Sequence, residues 1–508
     1  MLYPSSDGLC VTTPNNTLAI DWDFRLPGEY YLRRLQRYLS RWNNIFPIFC
    51  RKQATQIFSA LLARIEANQT SDLDTSDRCC LLLVLAIDAW DAHDLEHGEH
   101  ALRYYKAAMG LESEALEVLD LRTIQYRILK VLYLHLSGKH ALVACEVGAT
   151  VRAAQCIGLH RQSRRFKLSA GEAEHRTRLW WSISILDILT CTAYGLPKSI
   201  NSSDIDVLFP NNCDLDDMHA VELAVPLPGE QSQCATFIAL VKLHIILQQA
   251  TQLLFTTTDR CDCESKISRL EQQLCVWRYE NPTSTQHADY SADFLDLTSH
   301  FVMLLIHQPG LTLDDDCEQF DRSMAVSLDS AISILQVLSR AKHERRLLYL
   351  QPNATRMAFQ SALMCLFYAW HKNTTDLTFS SDSATETLNL DSAIEIACSL
   401  IALHRSDLDT IGATSEPTKC ATARREIDDA LAMLHSMTEQ TYASLGQTDS
   451  TRAEPLLDLG IDTTTQDTTD NWLGGSSLWG LNAASLEEWS EGLQFETIDS
   501  YLPDFGLE

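Results

Sequence analysis

The 508 residues are 45% hydrophobic and carry a formal net charge of −28, with only 19 glycines and 14 prolines. That hydrophobic share excludes wholesale disorder and suffices for a large core. The acidic balance excludes a broad phosphate-binding surface, which needs clustered Lys and Arg, and the scarcity of turn formers favours long helices over many short strands.

Residues 1–28 read as a flexible, polar segment. Their opening, Met1 to Asn16, has neither the basic nor the apolar region of a secretory signal. The most continuous apolar run, Cys79 to Ile87, is about half of the ~20 residues a membrane helix needs, so a soluble intracellular protein is expected. The sixteen cysteines include no C-x-x-C pair and sit mostly singly inside helical patterns, which predicts thiols rather than disulfides.

Apolar residues at three- and four-residue steps (Tyr31, Leu35, Tyr38, Leu39, Trp42) predict a helix from about Glu29. Further helices are predicted over 54–66, 78–90, 101–109 and 115–136. The next, 142–157, ends at Gly158 with apolar Leu159 behind it, the pattern of a left-handed C-terminal cap. Ser169 with Glu172 three residues on reads as a capping box that opens a helix, which Gly195 and Pro197 close. Residues 205–232 read as loop. Helices resume over 235–256, 264–278, 291–307, 322–340, 354–371, 391–404 and 421–444. The chain shows no defensible strand pattern and no fixed repeat, so the fold class is all-α: one large multi-helix unit over 29–445, followed by an acidic tail, 446–508.

Five segments carry a resemblance: A-A-Q-C-I-G-L-H-R (153–161), E-H-R-T-R-L-W-W (174–181), L-D (186–187), G-L-P (195–197) and D-I-D-V-L-F-P (204–210). In order and spacing they resemble the fungal-specific transcription factor domain, the middle homology region of fungal zinc-cluster regulators. The helix running into Asn43-Asn44-Ile45-Phe46-Pro47, the Leu270–Pro282 stretch with Trp277, and Ile306-His307-Gln308-Pro309 extend the likeness over about 29–440. The resemblance implies an all-helical regulatory domain, no catalysis and no cofactor. Two positions depart from it. Ile188 and Leu196 stand where the family usually has Arg, which implies the loss of a buried polar tie near Asp187.

The resemblance also implies a Zn₂Cys₆ module, yet the only cysteines before Cys79 are Cys10 and Cys50, so these residues cannot build one. Direct DNA binding by this chain alone is not expected. It would act through a DNA-binding partner protein or zinc-cluster regulator, unless the gene model lacks an upstream exon. Two motifs suggest a different class of protein, an all-helical metal-dependent enzyme or metal-binding protein. His93-Asp94-Leu95-Glu96-His97, with His100 nearby, matches an inverted zinc-protease pattern, and the Asp314-Asp315-Asp316-Cys317-Glu318 run could hold Mg²⁺ through carboxylate oxygens. The bland readings, a solvated linker and an acidic helix start, are preferred. The basic run Arg161, Arg164, Arg165, Lys167 reads as a solvated loop rather than a nuclear-import signal.

The tail sets Trp472, Trp479, Leu486, Trp489, Leu493 and Phe505 among acids such as Glu487, Glu488 and Asp504. That acidic–hydrophobic mixture is the composition of an activation segment, whose aromatics dock into a partner groove of the transcription machinery. With this tail, the resemblance implies a nuclear transcription regulator, an activator or alternatively a repressor or co-regulator, of a metabolic gene set, a secondary-metabolite biosynthetic cluster among the candidates, with no membrane contact.

Overall fold

The computed structural model describes residues 28–444, apart from 68–73, 92–96, 138–139, 163–167, 217, 224–225, 228–231, 233, 256–261, 282–289, 313–317, 344–353, 373–377, 381–386 and 413–420. The fold is all-α. The first helices are α1 (Gly28–Ile45), α2 (Arg51–Glu66), α3 (Thr75–Asp91), α4 (His97–Gly110), the single turn α5 (Glu112–Ala115), α6 (Leu121–Leu136) and α7 (His140–Cys156). They are followed by α8 (Ala170–Tyr194), α9 (Ala235–Leu254), α10 (Cys263–Glu280), α11 (Tyr290–His307), α12 (Glu318–His343), α13 (Ala354–Lys372), α14 (Leu390–Gly412) and α15 (Ala421–Ser444). One contiguous apolar core runs from Tyr31 on α1 to Met437 on α15.

Helix α3 lies at the centre of the first half, against α1, α4 and α6. Its run Cys79 to Ile87 is buried throughout, because a helix surrounded by helices has no face to give to water. Each fully buried Leu or Ile there contributes about 1.5–3 kcal/mol of transfer free energy. Chain neighbours then pack in sequence, α6 on α7, α7 on α8, and α11 through α15 as a run of pairs. Among the described residues, α9 is long and apolar enough to cross a membrane. Its apolarity has a local cause, since it packs against α1, α8, α10 and α11.

Helix ends follow the local chemistry closely. Gly158 has φ +73°, its N–H donates to Gln155 O (3.0 Å) and the Leu159 N–H donates to Ala154 O (3.0 Å), a Schellman pair. Ser169 Oγ accepts from Glu172 N at the start of α8, and Gly195 ends that helix at φ 63°. Two details differ from the sequence expectation. The predicted helix 115–136 starts only at Leu121, because Asp120 caps it by accepting from Thr123 N. A small antiparallel hairpin, Thr378–Ser380 against Thr387–Asn389, joins α13 to α14. Three residues a side are too few for alternation to show in the sequence.

Candidate functional site

The turn after α1 is held by one side chain. Asn43 accepts from Phe49 N (2.9 Å) and donates to Phe49 O (3.0 Å) through its buried amide. This closes the segment containing Phe46 and Pro47 and delivers Cys50 as the N-cap of the sixteen-residue helix α2. Cys50 is 3% exposed. Phe49 packs edge-on against both Tyr38 and Phe58, which fixes the approach.

From the other side of the chain, α8 brings His175. Its Nδ1 lies 3.7 Å from Cys50 Sγ. Gln125 on α6 donates through Nε2 to Ile48 O (2.7 Å) and meets His175 Nε2 at 3.1 Å. An amide NH₂ only donates, so His175 Nε2 accepts and the ring proton sits on Nδ1, aimed at the sulfur. Burial, reinforced by Arg178 and Arg176, lowers the His175 pKa to about 4, so the ring is neutral at physiological pH. Cys50, Gln125 and His175 line a small pocket of about 50 Å³ that opens to solvent. Phe49, Ile57, Phe58 and Leu121 supply its apolar wall, and Gln53 and the Arg122–Asp77 ion pair its polar part.

The remaining polar residues of the E-H-R-T-R-L-W-W segment lock a loop. Glu174 accepts from Asn211 N (3.1 Å), Asn211 Nδ2 (2.7 Å) and Arg178 Nε (2.7 Å), and Arg178 Nη2 donates to Cys213 O (2.8 Å). Burial works to depress the Arg178 guanidinium, but the hydrogen-bonded Glu174 carboxylate helps raise it above its ordinary value. Trp180 is fully buried, whereas Trp181 donates its indole N–H to Leu208 O (2.8 Å) and stacks on Phe209 at 5.4 Å.

The expected loss of a polar tie at Asp187 is corrected by the structure. Asp187 accepts from Ser199 N (3.1 Å) and Ile200 N (3.1 Å), and the Cys191 thiol lies 3.8 Å away. Its pKa is raised by burial, against the lowering effect of these donors. Ile188 is buried in the core and Leu196 is exposed. A guanidinium does reach this end of α8, but from α13: Arg356 Nη1 donates to Thr192 O (2.9 Å) and to Ala193 O.

Other sequence candidates are placed less fully. Trp472, Trp479, Leu486, Trp489, Leu493 and Phe505 lie outside the described residues, as do His93, the Asp314–Asp316 run and Arg164, Arg165 and Lys167. His97 opens α4, and His100 stacks on Tyr104 at 6.5 Å. Among the described residues no group of three or more His, Cys, Asp or Glu converges on a common metal position. Sequence reasoning missed the Cys50–Gln125–His175 meeting. The Asn43 turn and the His175 segment were each visible, but nothing local signals that they touch.

The fungal specific transcription factor domain matches residues 35–279. That span is shorter than the 29–440 suggested by the motifs alone and ends at Tyr279. Transcriptional activator protein acu-15 of Neurospora crassa is 22% identical over 341 residues, 64% of this chain and 36% of that protein. An uncharacterized transcriptional regulatory protein of Schizosaccharomyces pombe is 27% identical over 296 residues, 55% of this chain and 38% of its own. Transcription factor FBD3 of Gibberella moniliformis is 26% identical over 232 residues, 41% and 30% respectively. The chain thus aligns with less than two-fifths of each of these relatives. The matching family is one of transcription regulators, not enzymes, and both the Asn43 turn and the α8 latch fall inside the matched span. Residues 35–279 of this chain are a fungal specific transcription factor domain.

Proposed function

We propose that the chain acts in the nucleus as a regulator of a metabolic gene set, with a secondary-metabolite biosynthetic cluster among the candidates. The observation that carries this reading is the domain match over 35–279, laid on helices whose signature residues hold the scaffold together rather than form a catalytic centre. The names of two relatives, a transcriptional activator and a transcription factor, support it.

In this reading the helical unit, 29–445, is the regulatory scaffold. The tail, 446–508, recruits the transcription machinery through Trp472, Trp479, Leu486, Trp489, Leu493 and Phe505. Contact with DNA comes from a zinc-cluster module, either on a partner regulator or outside these 508 residues, since Cys10 and Cys50 are the only cysteines ahead of Cys79.

The test tethers residues 446–508 to a foreign DNA-binding module at a reporter gene. Activation that falls with Trp489→Ala supports the reading. Silencing of the reporter assigns a repressor instead. If the tail is inert and the Trp489→Ala form is indistinguishable from it, the activation segment is wrong.

A further inference from the structure

We propose that Cys50 is a reactive thiol that adds small α,β-unsaturated carbonyl compounds within the cavity it shares with His175 and Gln125. The inference stands on the cavity geometry and does not rest on the transcriptional reading.

Three observations carry it. The first is the neighbouring ring: the N–H at Nδ1 of His175 points at Sγ from 3.7 Å, and Gln125 holds it in that tautomer. A hydrogen bond donated to sulfur favours the thiolate. The second is the backbone, because Cys50 holds the N-cap position of α2, where the helix dipole favours negative charge, although its sulfur makes no capping hydrogen bond. The third is access. Although Cys50 is almost wholly covered from the outer surface, it lines a cavity that opens to solvent. The other buried thiols lack this combination. Burial pushes Cys79, Cys191, Cys234 and Cys365 up to about 12, which leaves them as inert core residues.

The cavity lining suits the proposed reactant. Ile57, Phe58 and Leu121 accept an alkene and a short alkyl chain, while Gln53 and Arg122 bring N–H donors for a carbonyl oxygen. The thiolate sulfur bonds to the β-carbon, and the π pair of the C=C moves through the carbonyl as an enolate. The thiol proton leaves to solvent and a proton from solvent adds to the α-carbon. The net change is S–H added across C=C, with no leaving group, oxidant or reductant.

The experiment treats the reduced full-length chain at neutral pH with limiting methyl vinyl ketone and follows each cysteine by peptide mass spectrometry. The exposed thiols Cys145, Cys156 and Cys275 are internal references. With its sulfur facing the His175 N–H at a helix N-terminus, Cys50 is expected to react several-fold faster than the references. His175→Leu should bring Cys50 to or below the reference rate, while His175→Asn, which keeps a donor near Nδ1, should retain most of the advantage. Thermal unfolding of each variant separates lost reactivity from lost structure. If His175→Leu does not fold, Gln125→Leu makes the same comparison by releasing the tautomer. Labelling of Cys50 that is slower than the references in the parent chain, or seen only in denaturant, overturns the proposal. So does an unchanged Cys50 rate in a folded His175→Leu chain.

Discussion

Replacing Glu174 by Gln tests whether the α8 latch is a buried charge pair in energetic terms as well as in geometry. The Glu174 side chain is 1% exposed and that of Arg178 is 7% exposed. The carboxylate takes four hydrogen bonds, from Arg178 Nε, Asn211 Nδ2 and Asn211 N, the last shared between both oxygens. Gln keeps the shape but removes the counter-charge, and its NH₂ half cannot accept from Asn211. Breaking a buried pair by removing one partner costs about 3–5 kcal/mol, because the other charge is left uncompensated. The double variant Glu174→Leu/Arg178→Leu removes both charges and should cost less than the sum of its single changes. Urea unfolding followed by tryptophan fluorescence gives the midpoints, and hydrogen exchange at the Asn211 amide reports the loop directly. A unit of this size need not unfold in one step, so the amide is the stricter readout. A Glu174→Gln chain within about 0.5 kcal/mol of the parent, or a double variant whose cost equals the sum of the singles, would refute the coupling.

Three further outcomes are expected. Burial lowers His175, His244 and His307 to about 4; between that value and the ordinary 6.5 the unfolded chain binds more protons. Stability should therefore be full above about pH 6.5 and fall as pH drops toward 4, by up to about 3 kcal/mol for each ring. A thermal midpoint unchanged between about pH 7 and pH 5 would contradict this. A Cβ at Gly310 would lie 2.8 Å from Ser323 Cβ and closer still to its Oγ, which pairs with His307 and accepts from Gln319. Gly310→Ala should destabilise by about 1–3 kcal/mol, with partial recovery in Gly310→Ala/Ser323→Gly, read by thermal melting. Trp277→Phe removes the indole donor to Ala239 O (2.9 Å) and should cost about 1–2 kcal/mol, measured the same way.

Local features were legible because they are set within a few residues. Gly158 needs a positive φ, and Ser169 finds its donor three residues on, so both helix ends could be placed from the letters alone. The same holds for most bounds from α9 to α15. The Asp120 cap was equally local, but it was masked by an apolar pattern that continues across it. What the sequence could not show is long-range pairing. Cys50 meets His175 across 125 residues, and no periodicity encodes that meeting. The tail's acidic and aromatic composition is read from the letters alone, and its residues lie outside those described.

The far end of α8 shows how a departure from a family pattern can mislead. With Ile188 in the core and Leu196 in solvent, the local sequence suggests an acid and a helix end stripped of their cations. The last carbonyls of a helix still need donors, and a positive charge there is favoured by the dipole. Arg356 supplies both from α13, 164 residues beyond Thr192. Burial lowers its pKa to about 10, partly opposed by Tyr194, so it stays charged at neutral pH. Asp187, meanwhile, is satisfied by backbone N–H groups and needs no arginine. The requirement is physical and local, while the residue that meets it comes from a distant helix. The same contact ties the matched segment, which ends at Tyr279, to helices beyond it. The missing arginines therefore do not leave this end of α8 without a donor, because Arg356 supplies one.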